Sequence, residues 1–163
     1  MEKNNRLKNY AKVSFDACSM NEGFARMVVM GFMMDMNPTM DELQDVKTAV
    51  SEAVTNAIIH GYGVSDCGEA NGQEAAQVEM TCLRDGQKLT VIVEDKGVGI
   101  VNVEEARQPF FTTKPDMERS GMGFAFMETF MDEVEVYSSV GEGTRVTMTK
   151  YIAIEEFEEE SEQ

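Results

Sequence analysis

A chain of 163 residues is long enough to bury one core of its own, and a formal charge of −16 sets its surface chemistry. Glu155–Glu162 supply six of these negatives, leaving about −10 on the body, a surface that repels phosphate backbones and argues against direct nucleic-acid binding. Nucleotide binding stays open, because backbone amides and one or two cations hold phosphate inside an acidic protein.

In chain order, residues 10–18 predict a strand with partial alternation. Ser19-Met-Asn-Glu22 has capping-box spacing and opens a predicted helix over 21–36, with Phe24, Met27, Val28 and Phe32 on one face. Asn37-Pro38 stops it, and a second capping box, Thr39-Met-Asp-Glu42, opens a long helix over 40–60. Its apolar positions Leu43, Val46, Val50, Val54, Ala57 and Ile58 recur at helical spacing. Gly61-Tyr62-Gly63 ends it, and the polar stretch 63–76 reads as an exposed loop.

Strands over 77–84 and 88–94 flank Asp85-Gly86, a strong hairpin signal. A short helix over 103–107 precedes a covering loop over 108–120. A helix over 121–131 then leads to strands 132–139 and 144–152, joined at Gly141-Glu-Gly143. The order predicts an α+β two-layer sandwich: a mostly antiparallel mixed sheet with helices on one face. One domain is expected over 1–152, with a disordered acidic tail over 153–163.

Three cysteines, Cys18, Cys67 and Cys82, form no CxxC or metal-knuckle spacing, so reduced thiols in a cytoplasmic chain are the simplest expectation. The N-terminus has no signal core, and the apolar stretch near Met27–Met36 is too short to span a bilayer. Fourteen methionines suit core filling first and adaptable contact surfaces second.

Four short pieces carry chemistry. Glu52, Asn56 and His60, spaced by four, stack along one side of the long helix. Glu52 has the chemistry of a general base and Asn56 offers an amide oxygen to Mg²⁺, although a solvated polar stripe has the same pattern. His60, the only histidine, suits a structural hydrogen bond near the helix end. Asp95, after a strand, can accept a hydrogen bond from an exocyclic amine, and Gly97 and Gly99 would admit a flat base; an ordinary turn would look alike. Gly121 and Gly123 open a helix whose free amides, with Phe124 next, could seat phosphate, while Arg119 and Lys114 stand ready for a terminal phosphate. Thr144, after Gly143, adds a hydroxyl. No GxxxxGK[ST] motif is present.

Together the motifs E-x-x-x-N (Glu52, Asn56), D-x-G-x-G (Asp95, Gly97, Gly99), G-x-G (Gly121, Gly123) and G-T (Gly143-Thr144) resemble the ATP-binding family of gyrase, the Hsp90 chaperones, histidine kinases and MutL. The segments Asn21–Arg26, Pro38–Leu43, Ser51–Tyr62 and Pro109–Pro115 further resemble the sporulation anti-sigma F factors. That resemblance implies a Bergerat-type ATP-binding fold, ATP and Mg²⁺ as cofactors, and a homodimer. It also implies a serine-protein kinase that inhibits a sporulation sigma factor and phosphorylates an anti-anti-sigma protein. Glu52 would be the base, Asn56 the magnesium ligand and Asp95 the adenine contact. Arg119 and the amides of Gly121–Phe124 would hold phosphates, and Arg26 would lie on the partner surface. The alternative is a nucleotide-gated binding switch of the same fold without kinase activity. The absence of a phospho-accepting helical hairpin weakens a detached histidine-kinase domain.

Overall fold

The computed structural model describes residues 7–64, 67, 75–111 and 122–154. Its strands β1 (Lys8–Asp16), β2 (Gln77–Asp85), β3 (Lys88–Asp95), β4 (Glu133–Ser139) and β5 (Gly143–Tyr151) form one sheet in the order β1-β2-β3-β5-β4. Every neighbouring pair is antiparallel, so the expected mixed character is absent among the described strands. The helices are α1 (Asn21–Met33), α2 (Met40–Asn56), α3 (Val103–Ala106) and α4 (Gly123–Phe130), with a 3₁₀ turn over Met34–Met36 and a π turn over Ala57–Gly61.

Alternation along the strands sorts the sheet's two faces. Val78, Met80 and Cys82 of β2, Leu89, Val91 and Val93 of β3, and Val146 and Met148 of β5 are buried in one contiguous core. They meet the apolar stripe of α2 formed by Val46, Ala49, Val50, Ala53 and Val54, which repeats at helical spacing. Helix α2 also contacts α1 and α4, so it is the central support of the helical layer. On the other face Glu79 and Glu94 lie opposite each other, a like-charge pair. Lys12 of β1, at 2.9 Å from Glu79, and Arg145 of β5, at 2.8 Å from Glu94, neutralise it from the flanking strands.

The two capping boxes of the sequence behave differently. At Thr39 the box closes fully: the hydroxyl accepts from Glu42 N–H at 3.2 Å, and the Glu42 carboxylate accepts from Thr39 N–H at 2.8 Å. At Ser19 it does not form. The position before α1 is Met20, already helical, with no side-chain cap hydrogen bond. The backbone turns early, so Asn21 and Glu22 N–H donate to the carbonyls of Cys18 and Ser19. Asn37 ends the 3₁₀ turn at φ 54°, a left-handed cap ahead of Pro38. The long helix keeps α geometry only to Asn56, and its last turn widens to a π turn.

The cysteine expectation is overturned: Cys18 and Cys67 form a disulfide, with Cα atoms 4.9 Å apart, and only Cys82 is a free, buried thiol among the described residues. Local spacing could not find this pair, because antiparallel pairing of β1 with β2 brings chain 49 residues away back to the same corner. There, Ala17 N–H donates to Ala76 O at 2.7 Å. No helix among the described residues is long and apolar enough to cross a membrane. The acidic tail beyond 154 and most of the 63–76 loop lie outside the described residues.

Closing a loop of 49 residues is worth about 4 kcal/mol in the chain-entropy account. Reduction is therefore expected to lower the melting temperature by on the order of 10 °C. Scanning calorimetry with and without reductant checks this, and Cys18→Ser should melt low in both conditions.

Candidate functional site

A cavity of about 370 Å³ opens between α2, the end of β3 and the start of α4. That volume suits a small organic ligand. Its apolar wall includes Ala53, Val93, Ile100, Phe124 and Val146, and its polar groups are few and convergent. Asn56, Asp95, Gly99, Gly123, Phe124 and Thr144, all singled out from sequence, line it together.

Asn56 reaches the cavity because it stands on the flank of α2 beside the buried stripe, one turn after Glu52. Helix α4 begins against this flank. A Cβ on Gly123 would stand 3.0 Å from Asn56 Oδ1 and 3.3 Å from Glu52 Oε2. The missing side chain thus lets the first turn of α4 abut an acid and an amide. Lys150 secures the far end of α4. Its Nζ donates to Phe130 O at 2.7 Å and to Asp45 of α2 at 3.0 Å, a cation at a helix C-terminus.

Asp95 is the last residue of β3 and only 9% exposed. Burial pushes its carboxyl above the ordinary aspartate range, and hydrogen bonds from the backbone N–H groups of Gly97, at 2.9 Å, and Thr144 pull it partly back. The end of the π turn presses on it so closely that a Cβ on Gly61 would lie 2.7 Å from Asp95 Oδ1. Thr144 lies opposite Asp95 in the β3–β5 register, and its hydroxyl shares a 2.8 Å hydrogen bond with Ser138 Oγ. A buried carboxylate at a cavity wall, facing apolar neighbours, can fix a planar ligand that presents an amine.

The glycines of the D-x-G-x-G motif admit protein rather than ligand. A Cβ on Gly97 would collide with the Gly61 carbonyl, and one on Gly99 with the Ser139 carbonyl. Gly97 lies behind the cavity, whereas Gly99 also lines it. Glu52 is not a lining residue; it stands behind Gly123. Arg26, on α1, donates from Nη1 to Ser51 Oγ at 2.8 Å, next to Glu52 in sequence, and lies 4.0 Å from Glu22. Lys114, Arg119 and Gly121 lie outside the described residues.

Sequence reasoning missed Gly61, Asn102 and Glu105 as lining residues, and Ala53 and Ala57 as the small residues that open the cavity beside Asn56. The alanines had a usable signal: they sit three before and one after Asn56, at the end of the helix and the start of the turn that follows it. His60, read as structural, also lines the cavity. Among the described residues no group of three or more histidines, cysteines or acids could hold a metal by itself. Asn56, Asn102, Asp95 and Glu105 are the oxygen-bearing side chains that the described lining offers besides Thr144.

Comparison with known proteins matches residues 19–150 to the histidine kinase-like ATPase domain family. The chain is 50% identical over 146 residues to the anti-sigma F factor of Priestia megaterium, covering 90% of this chain and 95% of that one. It is 53% identical over 146 residues to the anti-sigma F factor of a Geobacillus species, covering 90% and 94%. The crystal structure of the RsbU and RsbW domains of a Mycobacterium tuberculosis protein superimposes with a TM-score of 0.59 over 88% of this chain and 32% of that chain. At 17% identity that is a likeness of fold alone, and this chain spans about a third of the crystallised one.

The Asp95 carboxyl supplies a stability test. Its folded pKa is raised, so its contribution is fully present below the unfolded pKa and is lost as pH rises through the folded value. Relative to Asp95→Asn, the wild type is expected to lose melting temperature as pH is raised from about 4 to 7. Parallel thermal melts at both pH values check the sign, and a wild type that gains on the variant over that range would contradict it.

Proposed function

The chain belongs to the anti-sigma F factor family within the histidine kinase-like ATPase domains, and on that premise we propose that it is an ATP-dependent serine-protein kinase. In this reading it binds and inhibits a sporulation sigma factor and phosphorylates an anti-anti-sigma protein, acting as a homodimer. The observation that carries the proposal is the meeting of Glu52, Asn56 and Gly123 beside a cavity that also holds the buried Asp95.

Asp95 accepts a hydrogen bond from the exocyclic amine of adenine, with Val93, Ile100 and Phe124 supplying apolar walls. The N–H groups of Gly123 and Phe124 face the phosphates, as helix N-termini do. Arg119, Lys114 and Gly121 would complete the phosphate contacts, by the motif match alone. Asn56 would hold magnesium through its side-chain oxygen. Bound magnesium would offset phosphate charge and keep the terminal phosphoryl group in line for transfer. Glu52 accepts the proton of the substrate serine hydroxyl as its oxygen bonds to the γ-phosphorus, and the bond to the ADP oxygen breaks. Arg26 presents α1 to the partner while its bond to Ser51 ties that surface to the helix carrying Glu52.

Removing a general base typically costs 10²–10⁴ in rate. Glu52→Gln is therefore expected to lower phosphate transfer to the anti-anti-sigma serine by about 10²-fold or more, with ATP affinity changed by no more than about threefold. Radiolabel transfer measured beside calorimetric ATP binding checks both. Unchanged transfer would remove Glu52 from its role. Sigma-factor binding that follows ATP in a wild type that transfers no label would leave the nucleotide-gated switch.

A further inference from the structure

The turn that carries Asp95 is held from behind by a residue that does not line the cavity. Tyr62 follows the π turn directly, and its own N–H donates to Ala57 O at 3.1 Å. Its phenol oxygen accepts from Lys96 N–H at 2.7 Å and donates to Gln77 O at 2.6 Å. The neighbouring Gly61 carbonyl accepts from Val98 N–H at 2.9 Å, and Gly97 N–H donates to Asp95 Oδ1 at 2.9 Å. Three successive amides after Asp95 are thereby fixed, two of them by Gly61 and Tyr62. Burial pushes the Tyr62 phenol up, so it remains a donor to Gln77 throughout the neutral range. The phenol spans the start of β2 and the end of β3. The wall bearing the carboxylate is thus joined to the chain that leaves α2.

We propose that Tyr62 is a positioning residue for Asp95: its hydroxyl sets where the carboxylate stands and so gives the site its preference for purines with an exocyclic amino group. The inference rests on the reading of Asp95 as the acceptor of that amine. A carboxylate displaced by a few tenths of an ångström loses a directional hydrogen bond, whereas apolar stacking of the base tolerates the shift. Tyr62→Phe keeps the ring. It leaves intact the β3–β5 pairing of Asp95 with Thr144 and the Val98 N–H bond to Gly61.

The test is calorimetric binding of Mg·ATP and of Mg·purine riboside triphosphate, the same nucleotide without its exocyclic amine, to wild type, Tyr62→Phe, Asp95→Asn and the double variant. Melting curves of each run alongside. The wild type is expected to prefer ATP by about tenfold or more. Tyr62→Phe should weaken ATP about fivefold and the analogue less than about twofold, and should add nothing in the Asp95→Asn background. Equal losses for both nucleotides, no loss at all, or additive losses in the double variant would overturn the positioning role. A wild type that binds the two nucleotides equally would instead overturn the reading of Asp95. If Tyr62→Phe melts too low to titrate at that temperature, the same titrations at reduced temperature must show the same ATP-selective loss, and a loss shared by the analogue would overturn the proposal.

Discussion

Three stretches of main chain meet at the end of β3 with no space for a Cβ between them. A side chain on Gly61 would strike the Asp95 carboxylate, one on Gly97 the Gly61 carbonyl, and one on Gly143 the Asp95 carbonyl. The end of the long helix, the turn after β3 and the β4–β5 hairpin are thereby locked to one another. A carboxylate buried at this junction costs desolvation energy, and the amides of Gly97 and Thr144 return only part of it. The π turn is part of the same constraint, since the wider turn over Ala57–Gly61 delivers Gly61 onto Asp95. A half-desolvated carboxylate and three glycine-only contacts are thus concentrated beside one cavity.

Helix α2 makes that junction affordable. Its valine stripe is buried against the sheet, the Thr39–Glu42 box anchors its start, and Lys150 ties it through Asp45 to β5 and α4. One side of the helix therefore stabilises the core while the adjacent flank presents Asn56 and, one turn earlier, Glu52. Because both flanks belong to one rigid rod, their spacing relative to Asp95 does not depend on loops.

The acidity of the chain is distributed in keeping with a phosphate ligand. The described cavity lining contains neither lysine nor arginine. Helix α4 begins at Gly123 with no side-chain cap hydrogen bond at Met122, and the amides of a helix start act over a few ångströms rather than through net charge. A body that repels polyanions at long range can in this way accept one triphosphate locally.

Periodicity and turn chemistry made the helices, both hairpins and the α+β layering legible, because a valine every third or fourth position and an Asp-Gly between alternating runs act within a few residues. The motif spacing likewise named Asn56, Asp95, Gly99, Gly123, Phe124 and Thr144 as neighbours, and all six line one cavity. Identical capping-box spacing at Ser19 and Thr39 had opposite outcomes, because the chain leaving β1 turns early and its carbonyls take the amides first. The disulfide, the π turn and the role of Gly97 as a seat for Gly61 were equally hidden. Each depends on which distant backbone arrives at a given point. Local sequence thus determined the elements and the chemistry they could present. Only tertiary packing decided which groups touch, since contacts between residues 49 or 36 positions apart are set by strand register and helix docking, not by spacing along the chain.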